Sequence, residues 1–357
     1  MMQDDVSTDR YEQYEALFDP LWVDPTAARR RKPRVRQMLK KSHQEIVAQL
    51  TDDLDDVDLG FQPTYRPSKH EAGWLLNSLY SFYNEGLITD VLSLVKGGKE
   101  ASVYCCQAHP ATGLDLLAAK VYRPRMFRNL RNDKMYRQGR EILLAGGGPA
   151  GRDSGYIERA IRKKTRFGQQ AAHTSWLMYE FTAMERLHEA GGAVPRPVAS
   201  SENAILMSYH GDESLAAPTL NTVRLDPDEA ETLFREVLRN VDLMLQHDLV
   251  HGDLSAFNIL YWKAQEPALH GSGPQITLID FPQVVNLHTN ENARPILERD
   301  IRRTCEYFQQ QGVHCDPAAI LETFWDRYVA RLDPMDEAAD QSRLLAELEQ
   351  AIGAVPG

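Results

Sequence analysis

Asp253 and Asn258 stand five positions apart in HGDLSAFNIL (251–260), and Asp280 closes the short apolar run ITLIDF (276–281), twenty-two positions beyond Asn258. Two carboxylates and an amide so placed suit a metal-assisted reaction, with oxygen ligands for a divalent cation beside a carboxylate that orients a hydroxyl and accepts its proton. Lys120 lies inside the otherwise apolar stretch LLAAKVY (116–122), and burying an ammonium is costly without an anion next to it. Glu180 is the first choice for that anion and Glu185 the second, since one sequence does not fix the register. Upstream, KGGKEASV (96–103) offers the amides of Gly97 and Gly98 and the hydroxyl of Ser102 to phosphate oxygens that a larger side chain would obstruct. Clamped phosphates, a held metal ion and an oriented attacking oxygen are what phosphoryl transfer asks of a protein. Singly, each residue has a plainer reading, Lys120 as an edge-strand lysine with its head in water and the others as caps or turns. The complete set in this order is what points to the chemistry.

These groups need a scaffold, and the flanking periodicities supply one. Trp74, Leu75, Leu79, Phe82 and Tyr83 recur at helical spacing behind Ser68, with Gly86 marking the end. VLSLV (91–95), ASVYCCQA (101–108) and LDLLAAKVY (114–122) are β-rich runs separated by KGGKE and HPATG, and together they predict an antiparallel sheet. Residues 123–173 are polar and basic around a GGGPAGRDSG patch (146–155) and read as helix fragments about a loop. A helix is expected from near Thr174, broken by AVPRPV (193–198), with a strand at AILMSYHG (204–211). Asp226, Pro227 and Glu229 then read as cap, first turn and capping box of a long apolar-striped helix. A sheet followed by helices predicts an α+β protein with two lobes.

The chain has 357 residues, 43% hydrophobic and 25% charged, enough for two real cores. Its net charge of −11 argues against generic phosphate-driven nucleic-acid binding and leaves room for a local basic stripe. The four cysteines, Cys105, Cys106, Cys305 and Cys315, show no metal spacing and read as reduced thiols. The amino terminus has no signal pattern and no window reaches the length of a spanning helix, so we expect a cytoplasmic protein without membrane association. Residues 1–60, with acidic clusters and the basic run RRRKPRVR (29–36), read as a charged, partly disordered extension, and 333–357 as a carboxyl-terminal helix and tail.

The constellation resembles the protein-kinase-like fold and, more narrowly, the RIO family of atypical serine/threonine protein kinases. The resemblance rests on GKEASVY (98–104), HGDLSAFNIL, IDFPQ (279–283), LMSYHG (206–211) as the hinge and ERDIRR (298–303) on the helix that follows, and it covers roughly 70–320. It is to the branch without a complete amino-terminal winged helix. It implies a two-lobed kinase, a small antiparallel-sheet N-lobe with its preceding helix in 61–210 and a mainly helical C-lobe in 211–332. ATP and Mg²⁺ or Mn²⁺ are the implied cofactors. Lys120 and Glu180 would form the ion pair, Asp253 would be the catalytic aspartate, and Asn258 and Asp280 would hold the metal; Gly97, Gly98, Ser102, Val103, Met207 and Tyr209 would meet the nucleotide. The resemblance further implies autophosphorylation, an ATPase switch through phosphorylation of Asp280, and a ribosomal precursor as partner. Gly252 replaces the arginine of the ordinary kinase H-R-D motif and Pro282 the glycine of D-F-G, and 123–173 looks like an insertion. Two alternatives share these residues: a small-molecule phosphotransferase of the aminoglycoside or choline kinase kind, which GKEASVY and Pro282 oppose, and a nucleotide-gated binding module without turnover.

Overall fold

The computed structural model describes residues 61–98, 100–122, 135–136, 138, 140, 142–144, 154–163, 165–263 and 274–329. The expected extension 1–60 and the expected carboxyl-terminal helix lie outside the described residues. The first helix, α1 (Lys69–Asn84), begins where the sequence places it: the Ser68 amide donates to the Glu71 carboxylate at 3.3 Å, and Gly86 ends the turn with φ +69°. Leu75, Leu79 and Phe82 form its buried stripe. Tyr104 of the sheet donates its hydroxyl to Glu71, fixing the helix on the strands.

Five strands make the sheet: β1 (Ile88–Gly97), β2 (Ala101–Ala108), β3 (Leu116–Tyr122), β4 (Pro197–Ser200) and β5 (Ala204–Ser208), in the antiparallel order β1-β2-β3-β5-β4. Alternation along β3 decides what the two faces do. Leu117, Ala119 and Val121 join the core shared with α1, whereas Ala118 and Tyr122 join the larger core that runs into the helical lobe. Lys120 shares the second face. Between β3 and β4 come α2 (Ser154–Arg162) and α3 (Arg166–Glu189).

Beyond β5 the chain is mainly helical, with α4 (Pro227–Gln246), two short hairpins and the helices α5 (Ala293–Gln310) and α6 (Pro317–Tyr328). The hairpin β7 (Ile259–Lys263) with β8 (Pro274–Leu278) carries the two metal-type motifs at its open end; β6 (Leu249–Val250) with β9 (Val285–Asn286) braces it from behind. The lobes are tied at Ala193, whose amide donates to Asn240 of α4 at 2.6 Å and whose carbonyl accepts from Leu278 at 2.7 Å.

Two local expectations are corrected and one strand is added. AVPRPV does lie beyond the end of α3, but its last two residues also open β4, tolerated because Pro197 is the first residue of an edge strand, where no ladder donor is needed. Helix α3 starts at Arg166, not near Thr174, with the Thr165 hydroxyl accepting from the Gly168 amide at 3.0 Å. Asp226 and Pro227 do open α4, but Asp226 makes no side-chain cap bond; Glu229 instead accepts from the Tyr261 hydroxyl at 2.6 Å.

Candidate active site

Strand β3 delivers Lys120 to the cleft, where its ammonium meets two carboxylates from distant parts of the chain. Nζ donates to Glu180 Oε1 of α3 at 2.6 Å and also to Asp280 Oδ1. Glu185 is exposed, so Glu180 is the partner. Burial alone would pull the Lys120 ammonium down; Asp280 and Glu180 outweigh it and hold it above the ordinary lysine range. Burial pushes the Glu180 carboxyl up, with Lys120 offsetting only part of that. For Asp280 burial acts in the same upward sense, but Lys120, with help from Lys96 and His251, holds the carboxyl below its usual range. Asp280 sits at φ +74°, a sparsely populated backbone region for a non-glycine residue and the sort of strain that concentrates at functional sites. Its side chain keeps 39% exposure, so the charge faces the open cleft.

Asp253 is buried, and both carboxylate oxygens are engaged. Arg303 Nη1 of α5 donates to Oδ1 at 2.8 Å, and Asn258 Nδ2 donates to Oδ2 at 3.0 Å. The amide nitrogen of Asn258 also reaches the Asp253 carbonyl at 2.9 Å, so its oxygen is the atom left to ligate. The Ile279 amide donates to the Asn258 carbonyl at 2.9 Å, which sets Asp280 beside Asn258. His251 bridges the two loops: Nδ1 accepts from the Asp253 amide at 3.2 Å, which leaves the proton on Nε2 to donate to the Ile279 carbonyl at 3.2 Å. Burial lowers its pKa, consistent with that neutral tautomer.

Sequence reasoning missed the support beneath this loop. Asp300 Oδ2 accepts from the Gly252 amide at 2.8 Å, Arg299 donates to the Gly252 carbonyl and, at 2.7 Å, to the Tyr136 hydroxyl, and Arg303 holds Asp253. Gly252 has φ +87°, and a Cβ there would lie 2.2 Å from the Gln283 carbonyl oxygen. That close approach explains the glycine where ordinary kinases have arginine. From the segment between β3 and α2, Arg140 Nη2 donates to the Pro282 carbonyl at 2.9 Å and also to that of Val284, pinning the loop after Asp280.

The nucleotide-side residues divide. Val103 pairs with Lys120 in register and so shares its face; Val103, Ala118, Met207 and Tyr209 all pack on the core that borders the cleft. Gly98 is tight, since an added Cβ would lie 2.6 Å from the Ala101 carbonyl oxygen, whereas Gly97, at the end of β1, is sterically free. Ser102 is a correction: it pairs with Val121, is 2% exposed and faces the α1 side of the sheet, so its hydroxyl points away from Lys120. An amide oxygen and a partly exposed carboxylate suit Mg²⁺, which takes few protein ligands and shares the rest with phosphates and water. No described helix is long and apolar enough to cross a membrane.

A model of the RIO domain matches residues 152–320. The RIO-type serine/threonine-protein kinase Rio1 of Haloferax volcanii is 29% identical over 250 residues, 69% of this chain and 72% of that protein. Its counterpart from Thermoplasma acidophilum is 30% identical over 168 residues, 47% of this chain and 82% of the relative. Human serine/threonine-protein kinase RIO1 is 29% identical over 236 residues, 66% of this chain and 36% of the longer human protein. The solved Rio2 kinase of Chaetomium thermophilum aligns over 85% of each chain at 20% identity with a TM-score of 0.47.

Proposed function

This chain belongs to the RIO family of atypical serine/threonine protein kinases, and on that premise we propose that it transfers the γ-phosphoryl group of ATP to serine or threonine hydroxyls in a Mg²⁺-dependent reaction. The observation that carries the reading is Lys120, buried between Glu180 and Asp280 at the mouth of the loop that holds Asp253 and Asn258. Lys120 has three ammonium protons; two are used by the carboxylates, and the third is directed to a phosphate oxygen. Val103, Met207 and Tyr209 enclose the base, and the Gly98 turn brings backbone amides to the phosphates. Asn258 through its amide oxygen and Asp280 through its carboxylate would hold Mg²⁺, which neutralises charge on the transferring phosphates.

Asp253 then has one defined role. With Oδ1 tied to Arg303 and Oδ2 meeting Asn258, the carboxylate is fixed in orientation, and it is the group assigned to the acceptor hydroxyl. It orients that oxygen in line with the γ-phosphorus and takes up the proton as the new P–O bond forms and the bond to ADP breaks. The proposal extends, on the family resemblance, to Mn²⁺ as an alternative metal, to autophosphorylation, and to hydrolysis through a phosphorylated Asp280. A ribosomal precursor as partner, a cytoplasmic setting and lobe limits at 61–210 and 211–332 belong to it on the same footing.

The test incubates the purified protein with γ-labelled ATP and Mg²⁺ and separates protein-bound label from released phosphate. Acid-stable label on hydroxyl residues, lost in Asp253→Ala, is the kinase outcome. Released phosphate with hydroxylamine-labile label confined to Asp280 is the hydrolytic one. Neither label nor release from a folded, ATP-binding protein would overturn the proposal.

A further inference from the structure

The segment that joins β3 to α3 has the opposite charge to the rest of the molecule. Residues 123–170 hold thirteen lysines and arginines against four acidic residues, net +9, in a chain of net −11, so the remainder carries −20 (−11 less +9). Its longest described stretch is a helical hairpin. Gly168 lets α2 and α3 approach backbone to backbone, for an added Cβ would lie 2.1 Å from the Ala160 carbonyl oxygen, and the Thr165 amide donates to that carbonyl at 3.2 Å. Ile157 and Ala160 of α2 are buried.

The outer face is aromatic and cationic. Tyr156 is 68% exposed and Phe167 52% exposed, with ring centroids 5.8 Å apart at 40°. Arg159 and Arg162 of α2 and Lys163 just beyond its end are exposed on the same hairpin, and Tyr156 and Arg159 fall at i and i+3 on one helical face. Two large rings that leave more than half of their surface in water contribute little to the fold for their size. A membrane surface would need an apolar helix face, and the apolar face of α2 is already spent on α3. An acidic polypeptide would satisfy the cations and leave the rings idle.

We propose that the α2–α3 hairpin is a docking surface for a single-stranded polynucleotide, with bases stacking on Tyr156 and Phe167 and backbone phosphates meeting Arg159, Arg162 and Lys163. Stacking on exposed aromatic side chains flanked by cations is tolerant of sequence and strongly salt-dependent. The surface is independent of the chemistry at Asp253, so it stands or falls separately from phosphoryl transfer.

The test is fluorescence anisotropy of the full-length chain with labelled mixed-sequence RNA and DNA strands of about 20 nucleotides, across a salt series. Tyr156→Ala and Phe167→Ala are each expected to weaken binding by roughly 5- to 100-fold, and Arg159→Gln with Lys163→Gln to flatten the salt slope by about 0.7 per charge removed. Tighter binding of RNA than DNA, or the reverse, identifies the natural polymer. All four side chains are exposed, and the charge variants report even if an aromatic one misfolds. Binding unchanged in all four variants would place any polynucleotide site elsewhere, and polyglutamate displacing RNA without loss in the aromatic variants would assign the surface to an acidic protein; either result overturns the proposal.

Discussion

At the scale of single residues, Arg303 ties the Asp253 carboxylate, the proposed base, to the scaffold. It is 2% exposed, and its Nη1 lies 2.8 Å from Asp253 Oδ1, a charge-assisted bond that fixes the orientation of the carboxylate. Arg303→Met is expected to lower kcat by about 10- to 100-fold, through misplacement of the base, while ATP affinity holds. In an Asp253→Asn background the same change should cost little more. Steady-state kinetics on the four members of that cycle check it, with Arg303→Lys recovering part of the loss. The sequence hides this residue: ERDIRR carries charges at 298, 299, 300, 302 and 303, residue types that are mostly exposed in folded proteins, yet Arg299, Asp300 and Arg303 are all buried. His210 makes a second point. Its ring is packed 5.8 Å from that of Trp262, and burial pushes its pKa down to about 4. Between the unfolded value near 6.5 and that folded value, the unfolded chain binds a proton that the folded one refuses, so stability falls as pH falls. The expected loss between pH 7 and pH 5 is roughly 2 kcal/mol from this residue. His251, also lowered, adds in the same direction. Urea midpoints at the two pH values should show a smaller drop in His210→Phe than in the parent chain.

At the scale of elements, α5 acts as the strut for the catalytic loop, and Gly252 is where the loop touches the segment after Asp280. Gly252→Ala places a Cβ 2.2 Å from the Gln283 carbonyl at φ +87°, so its cost should well exceed the ~1–2 kcal/mol of a left-handed conformation alone. Gly312→Ala is the matched control, with φ +93° and open space around it, and should cost no more than that conformational term. Thermal unfolding of the two variants separates strain from collision. Helix α1 is legible to within a residue or two because its apolar stripe and cap coincide. The early start of α3 is not, since RFGQQAAH (166–173) holds a glycine and no stripe of large apolar residues, and it packs on α2 at Gly168. Strand β4 escapes for a similar reason: two prolines in AVPRPV outweigh a short edge pairing that depends on β5.

At the scale of the whole molecule, the cleft is made by two lobes that Lys120 and Asp280 join across it: Lys120 and Glu180 stand on one side, Asp253, Asn258 and Asp280 on the other. Nucleotide with Mg²⁺ should therefore stabilise the entire fold, by about 2.7 kcal/mol at a hundredfold excess over Kd. In Asp280→Asn the Mg²⁺-dependent part of that gain should vanish while a metal-free nucleotide increment remains; thermal shift with ATP, with and without Mg²⁺, reads both. The sequence by itself determined the order of the chemistry, the strand that carries Lys120 and the loop that carries Asp253 and Asn258, because those depend on local spacing and alternation. Tertiary structure alone decided that Glu180 and not Glu185 meets Lys120, that the Ser102 hydroxyl turns away, and that α5 and Arg140 hold the two loops. Each of those outcomes is a contact between segments far apart in the chain, 60 residues for Lys120 with Glu180 and 160 for Lys120 with Asp280, or a choice of sheet face, and register across such distances is set by packing the cores, not by any local pattern.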